Sequence, residues 1–240
     1  MVMSKKILTG VLVACLAIAG FFALNRNEKA SAPAENIKTV ENFDKLKYST
    51  SQPGSIWWVV NKTRPLPEGY ISPDLIVPNV KLQFEPTDSY MQFSKQAEPE
   101  LVEMFNAAKK DNVELIFGSG YRSYDLQKQL YDDYVAKDGQ AEADRYSARP
   151  GTSEHQTGLS FDAFGENVEC NLEICYADTP EGKWIKDNSY KYGFIIRYPS
   201  GKESVTGYQY EPWHLRYVGK ELAVELQKTG QTMEEFFGLN

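Results

Sequence analysis

The chain has 240 residues, 42% hydrophobic and 13% aromatic, enough for one well-filled domain with an appendage. A net charge of −7 is a poor match for nucleic acid or for bulk attraction to anionic wall polymers, so recognition has to be local, in a pocket.

Lys5 and Lys6 precede an uncharged, mostly apolar run from Ile7 to Leu24. The run is long enough to span a bilayer, and the lysines place the N-terminus inside and the rest outside. Residues 1–25 are therefore predicted as an N-terminal membrane anchor. The stretch Leu12-Val13-Ala14-Cys15 leaves a lipoprotein or a cleaved signal as alternatives, and every version exports the remainder. Residues 26–55 are polar and read as a flexible tether. Residues 56–240 are predicted as the folded domain, opening on the strand-like run Ile56-Trp57-Trp58-Val59-Val60. Five prolines between Asn61 and Pro86 predict an irregular wrap.

Pro99 to Asp111 predicts a helix with Leu101, Val102, Phe105 and Ala108 on one face. Val113 to Phe117 reads as a strand that Gly118-Ser119-Gly120 breaks. Ser123 caps a second helix with Leu126, Leu130, Tyr131, Tyr134 and Val135 as its apolar stripe. Asp138 to Pro150 reads as a polar loop. Phe161–Phe164, Phe194–Tyr198 and Leu215–Val218 predict strands, and 180–192 and 220–228 predict helices. Thr232 with Glu235 forms a capping box for a last short helix. Helices early and late around central strands indicate an α+β domain with a small antiparallel sheet. Cys170 and Cys175 are the cysteines left beyond the apolar run. They are spaced to close a small loop in an oxidising compartment, or to remain free thiols.

Both histidines of the chain sit in chemically suggestive surroundings. His155 lies in Ser153-Glu154-His155-Gln156-Thr157-Gly158-Leu159-Ser160-Phe161-Asp162, and His214 in Glu211-Pro212-Trp213-His214. Asp162 stands between apolar residues, and a buried carboxylate is expensive unless it is paired or binds a metal. Two imidazoles and one carboxylate make three ligands, which leaves the fourth tetrahedral position of a catalytic zinc site open. Glu211 is then the candidate base. Residues three apart on a strand point to opposite faces, so Glu211 and His214 must straddle a turn if both face one metal.

The pattern S-x-H-x-x-G-x-x-x-D followed by E-P-W-H resembles the zinc D-alanyl-D-alanine carboxypeptidases of the VanY type. These are related to the D,D-dipeptidases and L,D-carboxypeptidases of bacterial cell walls. Ser119-Gly120-Tyr121-Arg122-Ser123 with Gln127, Ala148-Arg149-Pro150-Gly151, and Tyr192 through Pro199 extend the resemblance over about 118–219, in the family's order. The resemblance implies His155, Asp162 and His214 as zinc ligands and Glu211 as catalytic base. It implies that Arg122 holds the substrate or the developing oxyanion. Ser153 and Gln127 are candidates for neutral hydrogen bonds to substrate, with Arg149 and Arg216 weaker ones. The implied activity is removal of terminal D-alanine from peptidoglycan stem peptides; with the anchor read from residues 1–25, the expectation is a monomer on the outer face of the cell membrane. The alternatives are another cell-wall peptide bond, or a zinc-bearing binding module without turnover.

Overall fold

The structure is a computed structural model and describes residues 43–239. The predicted anchor and the tether as far as residue 42 lie outside the described residues. Among those described, no helix is long and apolar enough to cross a membrane.

The compact unit begins at Asp44. The boundary expected at residue 56 falls inside it. Thr50 O accepts from Val59 N at 3.0 Å and from Arg64 Nη2 at 3.1 Å, and Lys47 pairs with Glu221 at 2.5 Å. Backbone and charged groups tie this segment down, so it carries no apolar signature. The run from Ile56 to Val60 is irregular rather than a strand, although Trp57 to Val60 are all buried.

A two-stranded ribbon, β1 (Leu75–Ile76) with β2 (Phe93–Ser94), precedes helix α1 (Glu98–Lys110). The main sheet has four antiparallel strands: β3 (Ile116–Ser119), β4 (Ser160–Phe164), β5 (Phe194–Ile196) and β6 (His214–Tyr217). Their order in space is β3-β4-β6-β5. Helix α2 (Tyr124–Asp138) is capped by the Ser123 side chain as expected. The segment read as a loop after it contains a further helix, α3 (Gln140–Tyr146). Its sequence is polar because only Ala143 is fully buried, so hydrophobic periodicity is absent. Helices α4 (Pro180–Asn188), α5 (Glu203–Thr206), α6 (Lys220–Thr229) and α7 (Met233–Phe237) complete the domain, α7 with the Thr232–Glu235 capping box. The α+β class with a small antiparallel sheet is as the sequence implies.

Strand alternation sorts the sheet's two faces. Phe161 and Ala163 of β4 and Leu215 and Tyr217 of β6 join the core cluster with Leu101, Met104, Phe105 and Ala108 of α1. Phe161 stacks on Phe117 at 5.1 Å and meets Phe93 and Phe194 edge-on. Truncating such a ring to alanine costs about 3–5 kcal/mol. The opposite face carries the intervening residues, Ser160 and Asp162 of β4 and His214 and Arg216 of β6, all buried. The hydrophobic pattern that builds the core thereby delivers a carboxylate and an imidazole side by side.

Candidate active site

Asp162 is the centre of the site. It lies across from Ser119 on one side and His214 on the other. Asp162 Oδ1 is 3.4 Å from His214 Nδ1 and 3.5 Å from His155 Nε2. His155 arrives from a short 3-10 turn, Glu154–Thr157, which ends at Gly158 in the left-handed conformation. The His155 ring is oriented by its other nitrogen, Nδ1, 2.7 Å from Gly120 O. Gly120 is required there: a Cβ would strike the Gln92 carbonyl and the Phe117 ring.

Glu211 and His214 straddle a turn, as the spacing demanded. His214 N donates to Glu211 O at 3.2 Å, and Glu211 Oε2 comes within 3.7 Å of His214 Nδ1. Pro212 biases Glu211 toward an extended backbone, and Glu211 N is fixed on Tyr198 O at 3.0 Å. Trp213 between them packs into the core cluster.

The electrostatics follow from burial. Burial pushes Glu211 up to about 7, and the Asp162 charge adds to this against His214 and Arg122. Burial lowers His155 to about 4, with Arg122 adding to the shift. His214 rises to about 9: burial opposes, but the surrounding carboxylates of Asp162, Glu154 and Glu211 outweigh it. Burial would also raise Asp162, yet His155, His214 and Arg122 hold it well below the usual carboxylate range.

The ligand atoms of His155, Asp162 and His214 all lie within 4.8 Å of one another. Atoms about 2.1 Å from a common tetrahedral centre are about 3.4 Å apart. The two contacts to Asp162 match that edge, and His155 Nε2 is buried without a hydrogen-bond partner. The donor set therefore fits zinc.

Arg122 is in the site, with Nη2 3.7 Å from Asp162 Oδ2 and its backbone N on His155 O. Its Nε is buried without a partner. Ser153 and Gln127 line the same cleft, whose volume is about 390 Å³. Gln127 Nε2 donates to Ala148 O at 2.8 Å, while its Oε1 is buried without a partner. Arg149 pairs with Asp144 and Arg216 with Glu154, so both are structural. Cys170 and Cys175 form a disulfide, and Leu172 and Glu173 inside that loop form part of the cleft wall. The sequence did not single out Glu154, which is buried behind His214 and paired with Arg197 and Arg216.

A buried His–Asp–His cluster beside a glutamate, at the floor of a peptide-sized cleft, defines a metal-dependent hydrolase. The pattern of the VanY D-alanyl-D-alanine carboxypeptidases matches residues 90–220, and the chain belongs to that family. It is 43% identical over 212 residues to the putative carboxypeptidase YodJ of Bacillus subtilis (strain 168), covering 88% of this chain and 77% of that protein. Among solved structures it resembles the LD-carboxypeptidase LdcB (TM-score 0.72, 47% identity, 76% and 86% of the two chains). It also resembles a mutant vancomycin-resistance D,D-pentapeptidase VanY in complex with Zn(II) (TM-score 0.62, 33% identity, 74% and 96%).

Proposed function

We propose that this chain is a zinc-dependent carboxypeptidase that removes the terminal D-alanine from peptidoglycan stem peptides. The observation that carries the reading is the Glu211–His214 turn, which sets a carboxylate beside three converging ligand atoms. A site that only bound metal has no use for such a base.

In this reading His155, Asp162 and His214 hold the zinc. When bound, zinc acidifies a water and polarises the scissile carbonyl. Glu211 takes the proton of the attacking water and hands it to the leaving amine. Arg122, a rigid and permanently charged fork, meets the substrate's free carboxylate or the developing oxyanion. Ser153 and the unpartnered Oε1 of Gln127 offer neutral hydrogen bonds, while Gln127 Nε2 fixes the wall at Ala148. The basic and apolar pattern of residues 1–25 supports placement of the domain outside the membrane, anchored by that segment.

A second reading, cleavage of the L,D bond to the D-alanine that ends the shorter tetrapeptide stem, is supported by the higher identity and TM-score to LdcB than to VanY. Mass spectrometry of muropeptides after incubation with pentapeptide and tetrapeptide stems decides. Shortening of the pentapeptide alone supports the D,D reading, and shortening of the tetrapeptide supports the L,D reading. Release of neither D-alanine would sink both.

A further inference from the structure

Behind the cleft lies a quartet of buried charges that plays no part in the chemistry above. Glu154, Arg197 and Arg216 have fully buried side chains, and Glu234 of α7 is nearly so. Glu154 Oε1 accepts from Arg197 Nε at 2.8 Å and from Arg216 Nη1 at 2.7 Å. Its other oxygen, Oε2, accepts from Ser160 Oγ at 3.2 Å and faces His214 Nε2 at 3.8 Å. Arg197 is gripped at its far end by both oxygens of Glu234, at 2.9 and 2.5 Å. Asn61 Nδ2 donates to that same carboxylate at 2.9 Å.

Stability is a weak account of such a cluster. Buried ion pairs are often no more stabilising than apolar residues of the same volume, because both partners lose their hydration. The position of Glu154 supplies a better one. His214 turns Nδ1 toward Asp162 and Glu211, and Nε2 away from them. To ligate through Nδ1 the ring must be neutral and carry its single proton on Nε2. That nitrogen is buried and has no hydrogen-bond partner at its present distance from Glu154, the carboxylate it faces. A shift of about 0.6–0.9 Å brings the pair into hydrogen-bond range. His155 solves the same problem with the Gly120 carbonyl on its Nδ1. The two rings thus offer opposite nitrogens to one point, each fixed from behind by a different kind of acceptor.

We infer that Glu154 is a positioning residue for the metal: it keeps the His214 proton on Nε2 and aims Nδ1 at the zinc, while Arg197, Arg216 and Glu234 hold Glu154 charged and in place. A carboxylate behind a ligand histidine fixes its tautomer and raises its basicity, and losing such a partner typically weakens metal binding by about 10–100-fold. The inference rests on the zinc-peptidase reading of the site.

The test measures zinc affinity by chelator competition in wild type, Glu154→Gln, Glu234→Gln and His155→Ala. Circular dichroism of each metal-free protein reports the fold, and absorption after Co²⁺ substitution reports ligand geometry. Glu154→Gln is expected to keep the metal-free fold, to bind zinc about 10–100-fold more weakly and to show altered cobalt bands. Glu234→Gln, remote from the metal, is expected to lose affinity in the same direction by a smaller factor. A folded Glu154→Gln protein with wild-type zinc affinity and wild-type cobalt bands overturns the inference. If Glu154→Gln does not fold, Glu234→Gln decides: weakened zinc binding supports the inference and unchanged binding overturns it. If wild type binds zinc no better than His155→Ala, the zinc reading itself has failed and takes the inference with it.

Discussion

Asp162 and His214 stand directly opposite one another on adjacent antiparallel strands, β4 and β6. Cross-strand partners hold their Cβ atoms about 5 Å apart, close enough for both side chains to reach one ion. Two of the three candidate ligands are therefore placed by sheet register rather than by loops. A slip of one residue would turn one of them into the phenylalanine core.

Removing the imidazoles should remove the metal. In a His155→Ala, His214→Ala double variant only Asp162 remains, and elemental analysis should find less than a tenth of the wild-type zinc. Zinc retained at wild-type stoichiometry would place the metal elsewhere.

Glu211→Gln should keep zinc and lose turnover. Glutamine preserves the shape that the turn and the Tyr198 carbonyl hold in place, but it cannot take a proton. General bases contribute about 10²–10⁴-fold, and kcat should fall by that factor. A loss of only a few-fold would assign the base to another group.

Arg122→Ala should cripple cleavage of a peptide ending in free D-alanine while leaving zinc in place. A charged hydrogen bond is worth about 1.5–3 kcal/mol, so kcat/KM should drop by at least about ten-fold. Amidating the peptide's C-terminus should cost wild type a similar factor and cost the variant little more. Equal cleavage of acid and amide by wild type would mean that no carboxylate is read there.

The metal-free protein should lose stability between pH 6.5 and 9. His214 keeps its proton up to about pH 9 in the fold, whereas an unfolded histidine releases it near 6.5. The folded state binds more protons in that window, so its stability falls as pH rises. Glu211, raised to about 7 by burial, acts in the same direction between 4.5 and 7. His155, lowered to about 4, opposes it only below 6.5. Thermal melts of chelated protein should show Tm declining from pH 6.5 to 9. Zinc-loaded protein should show no such decline, because the ligand histidine is already deprotonated. A flat profile for the chelated protein would contradict the raised pKa of His214.

The site was legible because its chemistry is concentrated in short motifs. His155 and Asp162 share one turn-and-strand segment, and Glu211 and His214 share one turn, so local spacing nearly fixes their geometry. Glu154 escaped notice for a physical reason. A glutamate in a polar loop is ordinarily solvated, and here it is buried against Arg197 and Arg216, both far from it in sequence. The Asp44–Ser55 segment and α3 are not legible in the sequence for a related reason. They are held by polar contacts, and hydrophobic period detects only elements that bury an apolar face.

The first strap of the folded unit closes on its last helices. Lys45 Nζ donates to Phe236 O across a separation of 191 residues, Asn61 reaches Glu234 across 173, and the Trp57 indole reaches Val218 O across 161. Synthesis runs the other way, so the strap emerges from the ribosome long before its partners exist. A nascent chain truncated before Met233 lacks both Glu234 and Phe236, and with them the clasp on Arg197. Such long-range closure is slow to form. The candidate ligands are all in the chain once His214 has been made, whereas the clasp on Arg197 closes only after Glu234 follows.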